Sequence, residues 1–128
     1  MSQEGKTDGP PFPASWSSLP GPIVLEEFQR VTLRTGVITS AEDHPQADRL
    51  LVLKIDLGAG DTRQIVAGIK GSYHLAELVG KQVVVVTNLR PVILRGVESQ
   101  GMILAASDET TVVLVSPERP IRAGSLVK

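Results

Sequence analysis

Four consecutive valines, Val83–Val86, constrain the fold more than any other stretch of this chain. A run of β-branched residues with no polar interruption fits a strand covered on both faces rather than one half-exposed to water. A second apolar run, Met102–Ala106, follows at short range. Between them lie Asn88, Arg90, Pro91, Arg95, Gly96, Glu98, Ser99, Gln100 and Gly101. Pro91 has no amide proton to give a sheet ladder, so the first strand is expected to end or bulge there. Gly96 and Gly101 permit backbone that other residues resist. A stiff core strand thus leads into a polar, glycine-punctuated surface and the chain then returns to the core. That is how a rigid scaffold presents a binding site.

The remaining chain is expected to be all-β. Val24–Arg30 has apolar residues at positions suited to one or two helical turns. Val31–Ala41 reads as a strand, with a bulge or sharp bend expected at Gly36. Asp43–Asp48 is a turn-rich loop. Leu50–Leu57 alternates, with Leu51, Leu53, Ile55 and Leu57 inward and Lys54 and Asp56 outward. Gly58-Ala59-Gly60-Asp61 signals a hairpin into a return strand, Arg63–Ala67. A short helical piece is expected near His74–Leu78, before the valine strand. Ser107–Thr110 reads as a turn, Thr111–Val115 as a strand, and Pro117–Ser125 as an irregular exit. Five main strands at short spacing favour a small closed barrel over a sandwich. A five-stranded Greek-key barrel with a helical insert between its third and fourth strands is the oligonucleotide/oligosaccharide-binding (OB) fold. Here it would carry a short N-terminal helix as well. That domain is expected over residues 23–128. Residues 1–22 hold five of the nine prolines, with glycines and serines, and read as a linker or tail. Phe12 and Trp16 are out of character for a linker and are expected to dock on the domain or on a partner.

Composition excludes several chemistries. There are no cysteines, hence no disulfide, cysteine metal site or thiol nucleophile. This suits a reducing compartment, and a cytoplasmic location is expected. No apolar N-terminal run marks a signal peptide, and no apolar run is long enough for a membrane span. Net charge is −1. Setting residues 1–22 aside removes Lys6 against Glu4 and Asp8 and leaves the domain neutral. Binding to nucleic acid would therefore depend on local clustering of charge.

His44 and His74 are isolated, and zinc sites favour Cys/His clusters that are absent here. With Asp48 or Glu77 they would make a weak acid–base or metal pair, and loop histidines without such a role are the better reading. Asp43, Asp48 and Asp61 fall in turns, where aspartate caps backbone amides. No catalytic constellation, metal site or cofactor motif stands out. Arg90 and Arg95 have the charge to contact phosphate, or are simply solvated on a strand edge. Aromatic residues make up 3% of the chain, too few for a binder that stacks successive bases. Phosphate, backbone and shape contacts suit a folded RNA better than a single strand.

Asn88-Leu89-Arg90-Pro91 followed by Leu94-Arg95-Gly96-Val97-Glu98-Ser99-Gln100-Gly101-Met102-Ile103-Leu104-Ala105-Ala106 resembles the tRNA-binding domain family. That domain is the C-terminal module of many bacterial methionyl-tRNA synthetases. It also occurs in stand-alone dimeric tRNA-binding proteins, in eukaryotic synthetase-associated cofactors and cytokines, and in an export-related chaperone. Leu33–Gly36, His44–Leu50 and Gln64–Ile69 match in order, so the resemblance covers about residues 23–128. It implies an OB barrel, usually homodimeric, that grips tRNA by its folded shape. The family's RNA-facing segment corresponds to Asn88, Arg90, Arg95, Ser99, Gln100 and Met102. One departure is Ile93, where relatives often carry lysine. The expected function is a non-catalytic tRNA-binding module acting with, or as part of, a methionyl-tRNA synthetase. A chaperone-like peptide-binding module is the alternative, favoured slightly by the apolar pair Val92 and Ile93.

Overall fold

A computed structural model describes residues 19–128, so the expected docking of Phe12 and Trp16 lies outside the described residues. In chain order the elements are α1 (Leu25–Phe28), β1 (Leu33–Asp43), β2 (Leu51–Asp56), β3 (Thr62–Ala67), α2 (Leu75–Leu78), β4 (Gln82–Val86), β5 (Val92–Leu94), β6 (Val97–Ser99), β7 (Met102–Ile103), β8 (Ala105–Ser107), β9 (Val112–Leu114) and β10 (Leu126–Val127). The main sheet runs β3-β2-β1-β4-β7, with β10 added beside β1. All these pairings are antiparallel. β3 meets β6 and β7 on its other side. The seam is polar: the Val66 amide donates to Ser99 Oγ at 3.0 Å, and the Gln100 amide to the Gln64 carbonyl at 2.7 Å. The result is a nearly closed five-stranded antiparallel barrel of OB type, as the strand pattern implies.

The eleven residues of β1 serve two neighbours, β4 through Leu33–Val37 and β2 through Val37–Asp43. Its register slips between Ile38 and Ser40. The irregularity therefore sits at Thr39, not at Gly36, which pairs in regular ladder with Val83. Gly36 answers a different demand. A Cβ there would lie 2.6 Å from Ile55 Cγ2 and 3.0 Å from Leu57 Cδ2, so core side chains cross directly over its backbone.

The alternation in β2 appears as expected. Leu51, Leu53, Ile55 and Leu57 are at most 1% exposed. Ile38, Ile65, Val83 and Val85 complete the barrel interior, and Leu78 of α2 plugs it, fully buried. Each such side chain contributes about 1.5–3 kcal/mol relative to exposure. Val84 and Val86, on the outer face of β4, are also buried. The four-valine run is therefore covered on both faces.

The C-terminal segment is more ordered than its composition suggests. Thr35 Oγ1 donates to the Arg122 carbonyl and accepts from the Ser125 amide, at 2.9 and 3.1 Å. The main chain of Thr35 also bonds to Ser125 and Gly124. The segment becomes a strap along β1 that ends in β10.

Candidate nucleic-acid interface

The polar stretch after β4 is a folded arm. Thr87 leaves the barrel with its amide bonded to the Thr32 carbonyl. Asn88 then bridges back: Oδ1 accepts from the Thr32 amide at 2.9 Å and Nδ2 donates to the Arg30 carbonyl at 2.6 Å. Its carboxamide fixes the path of the chain between α1 and β1. After Pro91, β5 and β6 pair antiparallel, Val92 with Ser99 and Leu94 with Val97. Arg95 and Gly96 form the connection with φ of 53° and 88°. Positive φ at both central residues defines a type I′ turn, whose twist matches that of hairpin strands. The sequence shows the two-residue spacing and the glycine. An arginine in place of Asn, Asp or Gly at the first turn position conceals the motif.

Side chains from β3 hold the base of this hairpin. Gln64 Nε2 donates to the Glu98 carbonyl at 2.8 Å, and the Gln64 amide donates to Gln100 Oε1 at 2.9 Å. Ser99 is 2% exposed, and its hydroxyl donates to the Gly101 carbonyl while accepting from Val66. Arg63 donates to the Thr87 and Gln100 carbonyls at 2.9 and 3.3 Å and pairs with Asp61 at 3.0 Å. Asp61 also meets Arg34 at 3.4 Å. The Arg63 hydrogen bond, with the charges of Arg63 and Arg34, holds the Asp61 carboxyl below the ordinary aspartate range, against a smaller opposing effect of burial. Arg63 and Gln64 are structural partners of the site; the sequence places Gln64 in a family motif but gives neither residue this bracing role.

The sequence-selected residues thus divide by environment. Asn88, Ser99 and Gln100 are bonded into the domain. Arg90 and Arg95 are exposed and, among the described residues, enter no ion pair. Met102, on β7, is 46% exposed. Along the arm the apolar side chains Leu89, Val92, Ile93 and Leu94 are all at least 38% exposed. The surface is therefore a short apolar ridge with an arginine at each end.

The two histidines part ways. His74 is exposed, and its amide is capped by Glu77 at 2.8 Å. His44 is buried, with both ring nitrogens engaged. Among the described residues no three His, Cys, Asp or Glu side chains gather as a metal site would require, and no helix is long and apolar enough to cross a membrane.

A small antiparallel barrel that holds out a basic-tipped hairpin defines a binding domain of the OB class. The family model described as a putative tRNA binding domain matches residues 33–126, and the chain belongs to that family. It is 48% identical over 106 residues to the methionine–tRNA ligase of Pyrococcus furiosus and 47% identical over 106 residues to that of Thermococcus kodakarensis. Each match covers 83% of this chain but 14% of the ligase, so the chain spans about a seventh of those relatives. Among solved structures it resembles a MetRS-related protein from Pyrococcus horikoshii, with TM-score 0.78 and 32% identity over 85% of this chain and 100% of that one. It also resembles the chaperone CsaA of Bacillus anthracis, with TM-score 0.77 and 30% identity over 84% of this chain and 100% of that one.

Proposed function

We propose that this domain is a non-catalytic module that binds folded tRNA through shape and backbone contacts. Membership of the tRNA-binding family supports it, and the observation that carries it is the arm itself: Arg90 and Arg95, exposed and in no ion pair among the described residues, stand at the two ends of its apolar ridge on a domain with no net charge. Arginine suits phosphate because its planar fork donates two parallel hydrogen bonds. Arg90, Arg95 and Met102 touch the RNA in this reading, whereas Asn88, Ser99 and Gln100 set the shape of the surface that meets it. As an accessory to a methionyl-tRNA synthetase in the cytoplasm, the module would raise tRNA affinity by adding a second, largely sequence-independent contact. Residues 1–22 would be the linker to such a body.

The module is also proposed to pair with a second copy. α1 buries none of its residues. Ile23, Leu25, Phe28 and Val31, with Leu126 of β10, leave an apolar face at 41% exposure or more. A groove between Phe28, Val31 and Leu126 runs along it. A two-fold contact would cover this face. Sedimentation showing a monomer at tens of micromolar would oppose it.

The exposed Val92-Ile93-Leu94 edge and the likeness to CsaA keep a peptide-binding reading in view. One titration separates the two: bulk tRNA, poly-U and an unfolded peptide, compared under the same salt. The proposal expects tRNA to bind tightest and poly-U weakly. Tighter binding of the peptide than of tRNA would replace it with the chaperone reading.

A further inference from the structure

The loop between β1 and β2 carries His44, one of three buried polar residues among those described. Its imidazole joins two segments fifty positions apart. Nδ1 lies 2.9 Å from the Gln46 amide nitrogen, and Nε2 lies 2.9 Å from the Leu94 carbonyl oxygen. The Gln46 amide has only a proton to offer, and the Leu94 carbonyl only lone pairs. Both contacts are satisfied together by one form of the ring, the neutral tautomer with its proton on Nε2. The first contact closes a turn of the kind an Asn or Asp side chain makes with the amide two residues on. The second leaves the loop altogether.

Leu94 is the last residue before the Arg95-Gly96 turn. Among the described residues, β5 pairs only with β6. None of its side chains is buried, with Val92, Ile93 and Leu94 at 51%, 64% and 38% exposure. Gln64, Ser99 and Arg63 hold β6 and the segment behind it, not β5. Among the described residues, the bond from His44 is the one hydrogen bond from segment 89–96 to the domain outside the β5–β6 ladder. It grips the carbonyl immediately before Arg95.

We infer that His44 is a positioning residue for RNA binding: by holding the Leu94 carbonyl, it sets the direction in which the hairpin turn presents the Arg95 guanidinium to phosphate. This rests on the reading of the hairpin as the tRNA-facing surface. His44 needs no contact with RNA to act in this way. Its effect runs through Arg95, so removing Arg95 removes most of what His44 contributes.

A double-mutant cycle on the whole domain, read as tRNA affinity at low salt, tests this. His44→Asn retains an acceptor for the Gln46 amide, and so the loop turn, but is too short to reach Leu94. Arg95→Ala removes the guanidinium. Arg95→Ala alone is expected to weaken binding about fivefold, as loss of one exposed charge contact would. His44→Asn is expected to weaken it about threefold and to make the salt dependence shallower by up to about one unit. The double variant is expected to bind within about twofold of Arg95→Ala, because the two losses overlap. Losses that multiply, or His44→Asn binding like the parent, would overturn the inference while leaving the RNA face in place. Arg95→Ala binding like the parent would overturn both. If His44→Asn does not fold, His44→Gln carries the test. Its longer carboxamide reaches the Leu94 carbonyl but gives up the Gln46 acceptor. Affinity within about twofold of the parent would support the latch, and a loss of about fivefold or more would overturn it.

Discussion

β4 and β5 are built from the same kinds of residue and meet opposite fates. Val83–Val86 lie between β1 and β7 at 6% exposure or less. Val92–Leu94 lie on a hairpin edge at 38% exposure or more. Apolar β-formers therefore do not decide their own burial. The sheet order decides it, by giving one strand two neighbours and a covered face on each side and the other strand a single short partner. The energetic consequence is a division of labour. Burial holds the barrel together. A handful of polar ties holds the arm: the Gln64–Glu98 bond, the Ser99 hydroxyl, and the imidazole bond to Leu94. Regions with few buried contacts open locally at lower cost than the core.

Paired truncations put the largest strain on that contrast. Ile55→Ala empties a fully buried position and is expected to destabilise the domain by roughly 2–5 kcal/mol. Ile93→Ala removes a side chain that is 64% exposed and is expected to fall within about 0.5 kcal/mol of the parent. Denaturant titration measures both. Comparable losses would mean that the arm is covered in solution by a second copy or another partner.

Ile93→Lys sharpens the same comparison from the side of function. On an RNA-facing arm, a lysine between Arg90 and Arg95 adds a phosphate contact. The expected gain in tRNA affinity is about 1 kcal/mol at low salt, fivefold to tenfold. In a protein interface the same lysine would be buried unpaired and would cost several kcal/mol. Lost self-association with no gain in tRNA binding would place residue 93 in that interface.

How far each region can be read from sequence differs for the same reason. The barrel strands announce themselves locally. Leu51, Leu53, Ile55 and Leu57 alternate, the valine run is uninterrupted, and Gly58-Ala59-Gly60-Asp61 marks a turn. The arm does not, because its β5–β6 hairpin hides behind an arginine at a left-handed position. β10 is two residues long, and its pairing depends on Leu33 and Arg34 far away in sequence. Arg90 and Arg95 are legible as charge. The engagements of Asn88, Ser99 and Gln100 are not, since their partners Thr32, Val66 and Gln64 lie 56, 33 and 36 positions away. A polar residue in a binding motif looks the same in sequence whether it faces the ligand or braces the chain. His44 is the sharpest instance: the sequence offers an isolated loop histidine, and the fold makes it a bridge to the arm.

A smaller effect is expected at the seam between the two regions. Asp61 joins Arg34 and Arg63 beneath the arm, and its folded pKa is lowered. A carboxyl held low in the folded state stabilises the fold above its ordinary value, near 3.9. That contribution disappears as pH falls through the lowered folded value. Asp61→Asn should therefore reduce stability at neutral pH and flatten the part of the acid transition that lies at and below about pH 4. The group is about a third exposed, so the loss is expected at about 1 kcal/mol or less. Thermal melts across pH 2.5–7 would show it as two curves that converge in acid.

The central claim is that the arm's arginines grip phosphate. The salt dependence of tRNA binding tests it most directly, measured for the parent, Arg90→Ala and Arg95→Ala. Counterion release from a few neutralised phosphates predicts a log–log slope of about −2 to −4 for the parent. Each variant should bind more weakly, with a slope shallower by somewhat less than about one unit, at unchanged thermal stability. A flat dependence for the parent, or variants that superimpose on it, would contradict the account.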